Sequence, residues 1–268
     1  MATFLDAANR IVQDFDVCVK GMIEFLIIIG IVFFIAVFFY KQANEQFEIL
    51  QIDAVRIQEL PTMYGDRSPI VIKGYDVPSL GTEEELQKRP SIMQMAVRDG
   101  ISLKALLASP QSLASFYFRP ETARFLAQES GLTIWFQHHM YERFLPSPYT
   151  TFLYSHRCSL WPHHRGLFKT TAFQTLIMPT QGIARVSLML GKAVPYLPVN
   201  WQGRSFHSLT LQDTPLLGQL KFIEVKLKKG NLLLLPAHMI IDVSSQENSW
   251  IFMAEIHHPI SLLSRPVG

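Results

Sequence analysis

One apolar run near the N-terminus constrains this chain more than any other feature. Residues 22–40 read MIEFLIIIGIVFFIAVFFY, and Glu24 is the only charged residue among them. At about 1.5 Å per helical residue the run reaches roughly 28 Å, close to the hydrocarbon thickness of a bilayer. A cleaved signal peptide is disfavoured, since the run is too long for its apolar region and no small-residue cleavage site follows. A buried soluble helix is also disfavoured, because phenylalanine and isoleucine cover every face.

The run therefore predicts a transmembrane helix over residues 21–40 in a single-pass membrane protein with an N-terminal anchor. Residues 1–20 are predicted to form an amphipathic segment, because apolar residues recur at helical spacing: Phe4, Ala8, Ile11 and Phe15. Residues 41–58 are polar helix formers and predict a helical stalk. Lys and Arg residues nearly tie on the two sides of the run, so the side that the rest of the chain faces stays open.

Charge and cysteine content exclude some classes of protein. The formal net charge is +2, and no long Lys/Arg run or basic stripe is present, so we expect no nucleic-acid partner. Cys18 precedes the apolar run and Cys158 lies far along the chain. A bridge between them is not expected, and the pattern is not that of an ectodomain held by disulfides.

Residues 59–268 predict one domain that is helix-rich at its start and all-β in its second half. Helices are predicted in TEEELQKRPSIMQMAVRDG, SLKALLASPQSLASFYF and ETARFLAQESG, and strands in SPIVIKGYDVP, LTIWFQH and TTFLYSHRCSLW. Five later runs also predict strands: AFQTLIMP, ARVSLML, FIEVKL, NLLLLPA and WIFMAEIHH. Their spacing favours an antiparallel sandwich or barrel.

Three blocks follow one another along the chain: SPIVIKGY (68–75), SLWPHHRGLFKTTAFQTLIMPTQGIARVSLML (159–190) and KFIEVKLKKGNLLLLPAHMIIDV (221–243). In this order they resemble the JmjC/cupin-like hydroxylases, a family of 2-oxoglutarate oxygenases. The resemblance covers roughly Leu60 to Ile260. It implies an α+β, mainly β chain, in which a transmembrane helix precedes a double-stranded β-helix (cupin or jelly-roll) domain with helices packed on it.

The resemblance also implies where metal ligands would stand. Such oxygenases hold Fe(II) with a His-x-Asp pair and a later histidine. With Gly182 aligned on the family's hairpin glycine, those positions fall on Lys169, Thr171 and Ile241, none of them a suitable ligand. No His-x-Asp or His-x-Glu occurs anywhere in the chain. We therefore predict no catalytic residues, no bound metal and no cofactor, with Lys169 hydrogen-bonded or paired to a carboxylate in a closed pocket.

Three other residues are predicted to rim a pocket: His164, Trp201 and His238. Trp201 lies in the aromatic, polar segment VNWQGRSFHS, and His238 follows Pro236 by two residues. Asp242 is expected to point to the face opposite Ile241.

The function expected from these features is a non-catalytic, membrane-anchored module that binds or scaffolds other proteins of a membrane-associated assembly. Two alternatives stay open: an Fe(II)/2-oxoglutarate hydroxylase with atypical ligands, and a small-ligand or carbohydrate-binding module.

Overall fold

The structure is a computed structural model of the 268-residue chain, and it describes residues 2–41, 48–98, 100–109, 118–245 and 249–263. The chain divides into two compact units, Met1–Gln42 and Ala43–Gly268. The second unit is called the β-domain below.

The first unit contains one long helix, α1 (Ala2–Lys41). Its segment Lys20–Phe39 has a mean hydropathy of 2.9 and none of it is buried, so its length and composition suit a membrane crossing. A signal sequence near an N-terminus would meet the same criteria. The side chains of residues 2–19 lie outside the described part, and with them the predicted amphipathic face.

The β-domain contains twelve strands within the described ranges. They are β1 (Leu50–Asp53), β2 (Ile70–Lys73), β3 (Ala96–Arg98), β4 (Ile101–Ser102), β5 (Ser155–Pro162), β6 (Gly166–Lys169), β7 (Gln174–Gln181), β8 (Ile183–Met189), β9 (Ile223–Lys228), β10 (Leu232–Pro236), β11 (Ile240–Ser245) and β12 (Trp250–His257). Its described α-helices are α2 (Leu60–Met63), α3 (Glu83–Gln87), α4 (Pro90–Met93), α5 (Leu103–Leu107), α6 (Pro120–Glu129), α7 (Leu132–His139) and α8 (Pro259–Leu263).

Two sheets form the frame of the β-domain. The large sheet has the order β1-β2-β10-β7-β12-β5, and the small sheet has the order β6-β11-β8-β9. Pairing within both sheets is antiparallel except between β1 and β2. The strands β5 to β12 can be numbered 1 to 8 along the chain. The large sheet, read from β5, then has the order 1-8-3-6, and the small sheet, read from β6, has the order 2-7-4-5. This is the strand order of a jelly roll, the architecture of cupin-like barrels, and β1 and β2 extend one edge of it.

Apolar layers lie on both sides of the barrel wall. Between the sheets, Val186, Leu188, Leu227 and Val243 are buried in the main core. On the outside of the large sheet, the rings of Trp135 and Phe136 in α7 pack on Phe252 of β12, with centroids 6.5 and 5.9 Å apart. On the outside of the small sheet, the segment 191–220 buries a separate cluster that contains Leu167, Met189, Trp201 and Ile240.

The five strand runs predicted in the second half are confirmed as β7, β8, β9, β10 and β12. β2 and helix α6 are likewise found where the sequence indicated them. The run TTFLYSHRCSLW is only partly a strand, because β5 begins at Ser155 after a 3-10 helix over Pro148–Leu153.

Three predictions of secondary structure are wrong in whole or in part. The run TEEELQKRPSIMQMAVRDG contains α3 and α4, but Ala96–Arg98 within it forms strand β3. The run LTIWFQH forms helix α7, because Leu132 and Phe136, one helical turn apart, both point into the core with no exposed surface. The described part of the expected stalk is not an α-helix either. Residues 50–53 form strand β1, whose Ile52 is buried while Gln51 and Asp53 are exposed, and a 3-10 helix follows over Ala54–Glu59. The β-domain therefore begins before residue 59.

Candidate functional site in the barrel

Alternate residues of β6 and β11 point to opposite sides of the small sheet. Ile241 pairs with Phe168, and both pack in the core between the two sheets. Ile240 pairs with Lys169 on the other side, where Ile240 joins the outer cluster. Since neighbouring strand residues face opposite ways, Phe168 and not Lys169 is the inward residue at this level of the barrel.

The structure therefore corrects the expected placement of Lys169. Its side chain is exposed at the end of β6, on the outer side of the sheet, and does not lie in a closed pocket. Thr171 is half-buried in the loop before β7, and Ile241 is fully buried. Thr170 lies between Lys169 and Thr171. Its hydroxyl donates to the carbonyl of Pro236 (2.9 Å) and accepts from the Met239 N–H (2.9 Å), which fixes the start of β11.

These residues do not fit the Fe(II) site of the hydroxylases. The inward level formed by Phe168, Ile241 and Leu188 of β8 offers hydrocarbon only, whereas Fe(II) needs imidazole and carboxylate donors. Within the described ranges, no group of three or more His, Cys, Asp or Glu side chains is placed to hold a metal ion.

The three predicted rim residues are not brought together. His164 lies before β6 and beside the end of β11, since the next residue, Arg165, donates its N–H to the Val243 carbonyl (3.0 Å). His238 lies before the start of β11, at the other end of that strand. It is five residues from Val243, which is about 17 Å at 3.3 Å per strand residue. Trp201 is buried in the outer cluster and rims no barrel mouth. Burial and the neighbouring His163 lower the pKa of His164, which favours its neutral form.

A charged group that sequence reasoning missed lies where the edges of the two sheets approach each other. The guanidinium of Arg165 lies 3.6 Å from the ring centroid of Phe168 and 5.1 Å from that of Trp161. Its Nη2 is 3.6 Å from Oε1 of Glu255, and the Nε2 of His257 is 3.7 Å from Oε2 of the same carboxylate. Arg165 thus covers the end of an aromatic core and pairs with an acid on β12.

A small surface pocket opens beside this group. Its lining includes Arg124 of α6, Arg157, Ser159 and Trp161 of β5, and the pair Arg165 and Glu255. The indole Nε1 of Trp161 donates to the Ser159 hydroxyl (2.8 Å) and so fixes one wall. Three arginines and one glutamate line the pocket, so its net charge favours an anion. Cys158 also borders it, and burial raises the pKa of its thiol to about 12, which disfavours the reactive thiolate.

Asp242 is the other notable ionisable group. As predicted, it points away from Ile241, and it is buried. Its Oδ2 accepts the N–H of Phe206 in the segment 191–220 (2.9 Å), and its Oδ1 has no hydrogen-bond partner among the described residues. Burial raises the pKa of this carboxyl to about 6, although the Phe206 hydrogen bond and nearby His207 oppose the shift.

Comparisons with known proteins add little to this description. No protein-family model and no curated protein matches the sequence. Among solved structures, a similar one is hydroquinone 1,2-dioxygenase from Sphingomonas sp. TTNP3, crystallised with 4-hydroxybenzoate bound. The identity is 15% and the TM-score 0.28, and the match covers 41% of this chain and 62% of that one. A TM-score this low carries no argument, and the cupin-like architecture rests on the strand order itself.

The sequence does contain signals for the missed residues. Glu255 is the one acid in the apolar strand WIFMAEIHH, and a lone acid in a buried strand predicts a cationic partner. Arg165 stands in the turn PHHRG between two strands, and a turn residue gives no direction for its side chain.

Proposed function

We propose that this chain is a membrane-anchored protein whose cupin-like β-domain has no oxygenase activity and serves as an interaction module in a membrane-associated assembly. The observation that carries the proposal is the hydrocarbon level Phe168–Ile241–Leu188, at the place where the hydroxylases require metal donors. A fold retained without its reactive groups still provides a rigid surface.

Anchoring is supported by the exposed apolar segment Lys20–Phe39. Membranes that contain the full chain are extracted with alkaline carbonate and separated by centrifugation. We expect the chain to stay in the pellet until detergent is added, because a spanning helix is held by its buried apolar surface. Release by carbonate alone would contradict the anchor.

The interaction role is tested by cross-linking in the native membrane, followed by mass spectrometry of the full chain. We expect cross-links from lysines of the β-domain to other proteins, at the same sites in repeated preparations. A chain that cross-links only within itself would contradict a role in an assembly.

The pocket beside Arg165 favours a second candidate, a module that binds a small anionic ligand. Arg124, Arg157 and Arg165 provide the charge, and the Trp161 ring provides an apolar wall. Thermal unfolding of the detergent-solubilised chain is measured with inorganic phosphate and with matched sodium chloride. Binding would raise Tm with phosphate only, and the rise would be lost in Arg157→Gln.

A further inference from the structure

We propose that one end of the β-domain rests on the surface of an anionic bilayer, as a second membrane contact besides the apolar helix. This inference rests on the proposed membrane anchor. The end in question, called the lower end, is where β1, β5 and β7 begin and where β10 and β12 finish.

Strand register identifies the lower end. In the large sheet, β1 and β2 start side by side, since Leu50 pairs with Ile70. On its other side, Ile70 pairs with Leu234, near the end of β10. Pro236 then pairs with Gln174 at the start of β7, and His257 at the finish of β12 pairs with Ser155. The first residue of β1 and the first residue of β5 therefore lie at the same end of the domain.

The loop that leads into β5 carries two exposed aromatic side chains. It forms the 3-10 helix Pro148–Leu153, in which the side chains of Tyr149 and Phe152 are 89% and 83% exposed. The next residue is held firmly, because the Tyr154 ring contacts those of Phe173 (5.6 Å) and His258 (5.0 Å). Exposed aromatic side chains on a fixed loop are costly in water and suit the headgroup layer of a membrane.

Lysines lie at the same end of the small sheet. Lys169 is the last residue of β6, Lys192 follows β8, and Lys221 precedes β9 beside the half-exposed ring of Phe222. All three lysine side chains are exposed. The carboxylates Glu48 and Asp66 are also exposed at the lower end, but they flank β1 and β2 of the large sheet. The combination of exposed apolar groups with lysines is the chemistry that anionic lipid headgroups attract.

Chain connectivity favours the lipid surface over a soluble partner. Leu50 begins β1 at the lower end, nine positions after Lys41 ends α1. Nine steps of at most about 3.5 Å span no more than roughly 32 Å, so a chain anchored by α1 is able to reach the bilayer with its lower end. A surface tethered so closely binds at high effective concentration, and weak contacts then suffice.

The test is quenching of tryptophan fluorescence by lipids with brominated acyl chains, using the full chain reconstituted in vesicles. The probe variant is Phe152→Trp, and the matched control is Val55→Trp. Val55 is 92% exposed and follows the last residue of β1, so it lies at the opposite end. The four native tryptophans give a common background that is subtracted. Vesicles are phosphatidylcholine alone or a mixture with phosphatidylserine.

We expect Phe152→Trp to be quenched well above background in the mixed vesicles and Val55→Trp to remain at background. Replacing Lys169, Lys192 and Lys221 together by Glu should reduce that quenching in mixed vesicles and leave it unchanged in phosphatidylcholine alone. Flotation with the vesicles is recorded in parallel. A chain that floats but shows equal quenching at residues 55 and 152 overturns the second contact and leaves the anchor standing. A chain that does not float overturns both.

Discussion

Phe168 and Ile241 face each other across β6 and β11, and both point into the barrel. In the hydroxylases that the sequence resembles, this part of the barrel holds metal ligands. Here it is a packed part of the core, covered at the sheet edges by the guanidinium of Arg165 over the Phe168 ring. The side chains that pack this part of the core are therefore the same ones on which the proposed lack of oxygenase activity rests.

Ile241→Ala should destabilise the β-domain strongly. Ile241 is fully buried, so the change removes apolar contacts and leaves a cavity, at a cost of about 2–5 kcal/mol in the free energy of unfolding. Urea unfolding of the detergent-solubilised full chain, followed by near-UV circular dichroism, measures it. Val55→Ala at an exposed site is the control and should change the free energy by less than about 0.5 kcal/mol. Equal effects of the two substitutions would mean that the interior is not packed around Ile241.

Arg165→Lys should lower the free energy of unfolding by about 1 kcal/mol, because lysine keeps the charge near Glu255 but loses the planar face over Phe168. Arg185→Lys is the matched control, since the exposed pair of Arg185 with Glu224 spans 4.0 Å and should contribute little. If the cost arises from the ring contact, it should shrink when Phe168 is replaced by Leu. A cost independent of residue 168 would assign the effect to another contact.

Gly166→Ala should destabilise the start of β6. Gly166 has φ of +73°, and an added Cβ would collide with the Gly203 carbonyl of the segment 191–220. The two segments approach closely because Leu167 forms two backbone hydrogen bonds across them. Its N–H donates to the Arg204 carbonyl and its carbonyl accepts from the Gly203 N–H, both at 2.8 Å. We expect a loss of more than about 1 kcal/mol in urea unfolding. Gly218→Ala should be nearly neutral, because no described atom outside its chain neighbours lies within 4 Å of an added Cβ.

Asp242→Asn should stabilise the protein more at neutral than at acid pH. Burial raises the folded-state pKa of Asp242 to about 6, above its ordinary value of 3.8, so the folded state loses stability as pH rises from 4 to 6. The full penalty, about 3 kcal/mol, is present above pH 6. Asparagine still accepts the Phe206 N–H but carries no charge.

The measurement for Asp242 is the difference in the free energy of unfolding between the Asn variant and the natural chain from pH 4 to 7. We expect this difference to grow with pH, since other titrating groups cancel in the comparison. A difference that is constant with pH would show that Asp242 does not titrate in this range.

The sequence predicted the barrel strands well because long apolar runs between turn signals admit few other structures. It failed on LTIWFQH, where seven apolar-rich residues suit a strand and a buried helix equally, and only the packing of Leu132 and Phe136 decides. The short edge strand β1 was missed because it continues a polar run that suits a helix, and its pairing with β2 is not local.

The candidate site was predicted less well than the fold. A shift of one residue reverses the direction of every side chain in a strand, so an alignment that placed Lys169 inward missed Phe168. The prediction for Ile241 placed it inward, where the structure has it. The pairing of Arg165 with Glu255 joins residues 90 positions apart, which no local pattern can indicate.

Iron content and oxygen consumption, measured on one preparation of the detergent-solubilised full chain, test the central claim most directly. The protein is incubated anaerobically with Fe(II) and 2-oxoglutarate, separated from free iron, analysed for metal, and then exposed to oxygen. We predict far less than stoichiometric iron and no 2-oxoglutarate-dependent oxygen uptake above that of buffer with Fe(II), because Phe168 and Ile241 provide no donor atom. Stoichiometric iron together with oxygen uptake that consumes 2-oxoglutarate would contradict the account.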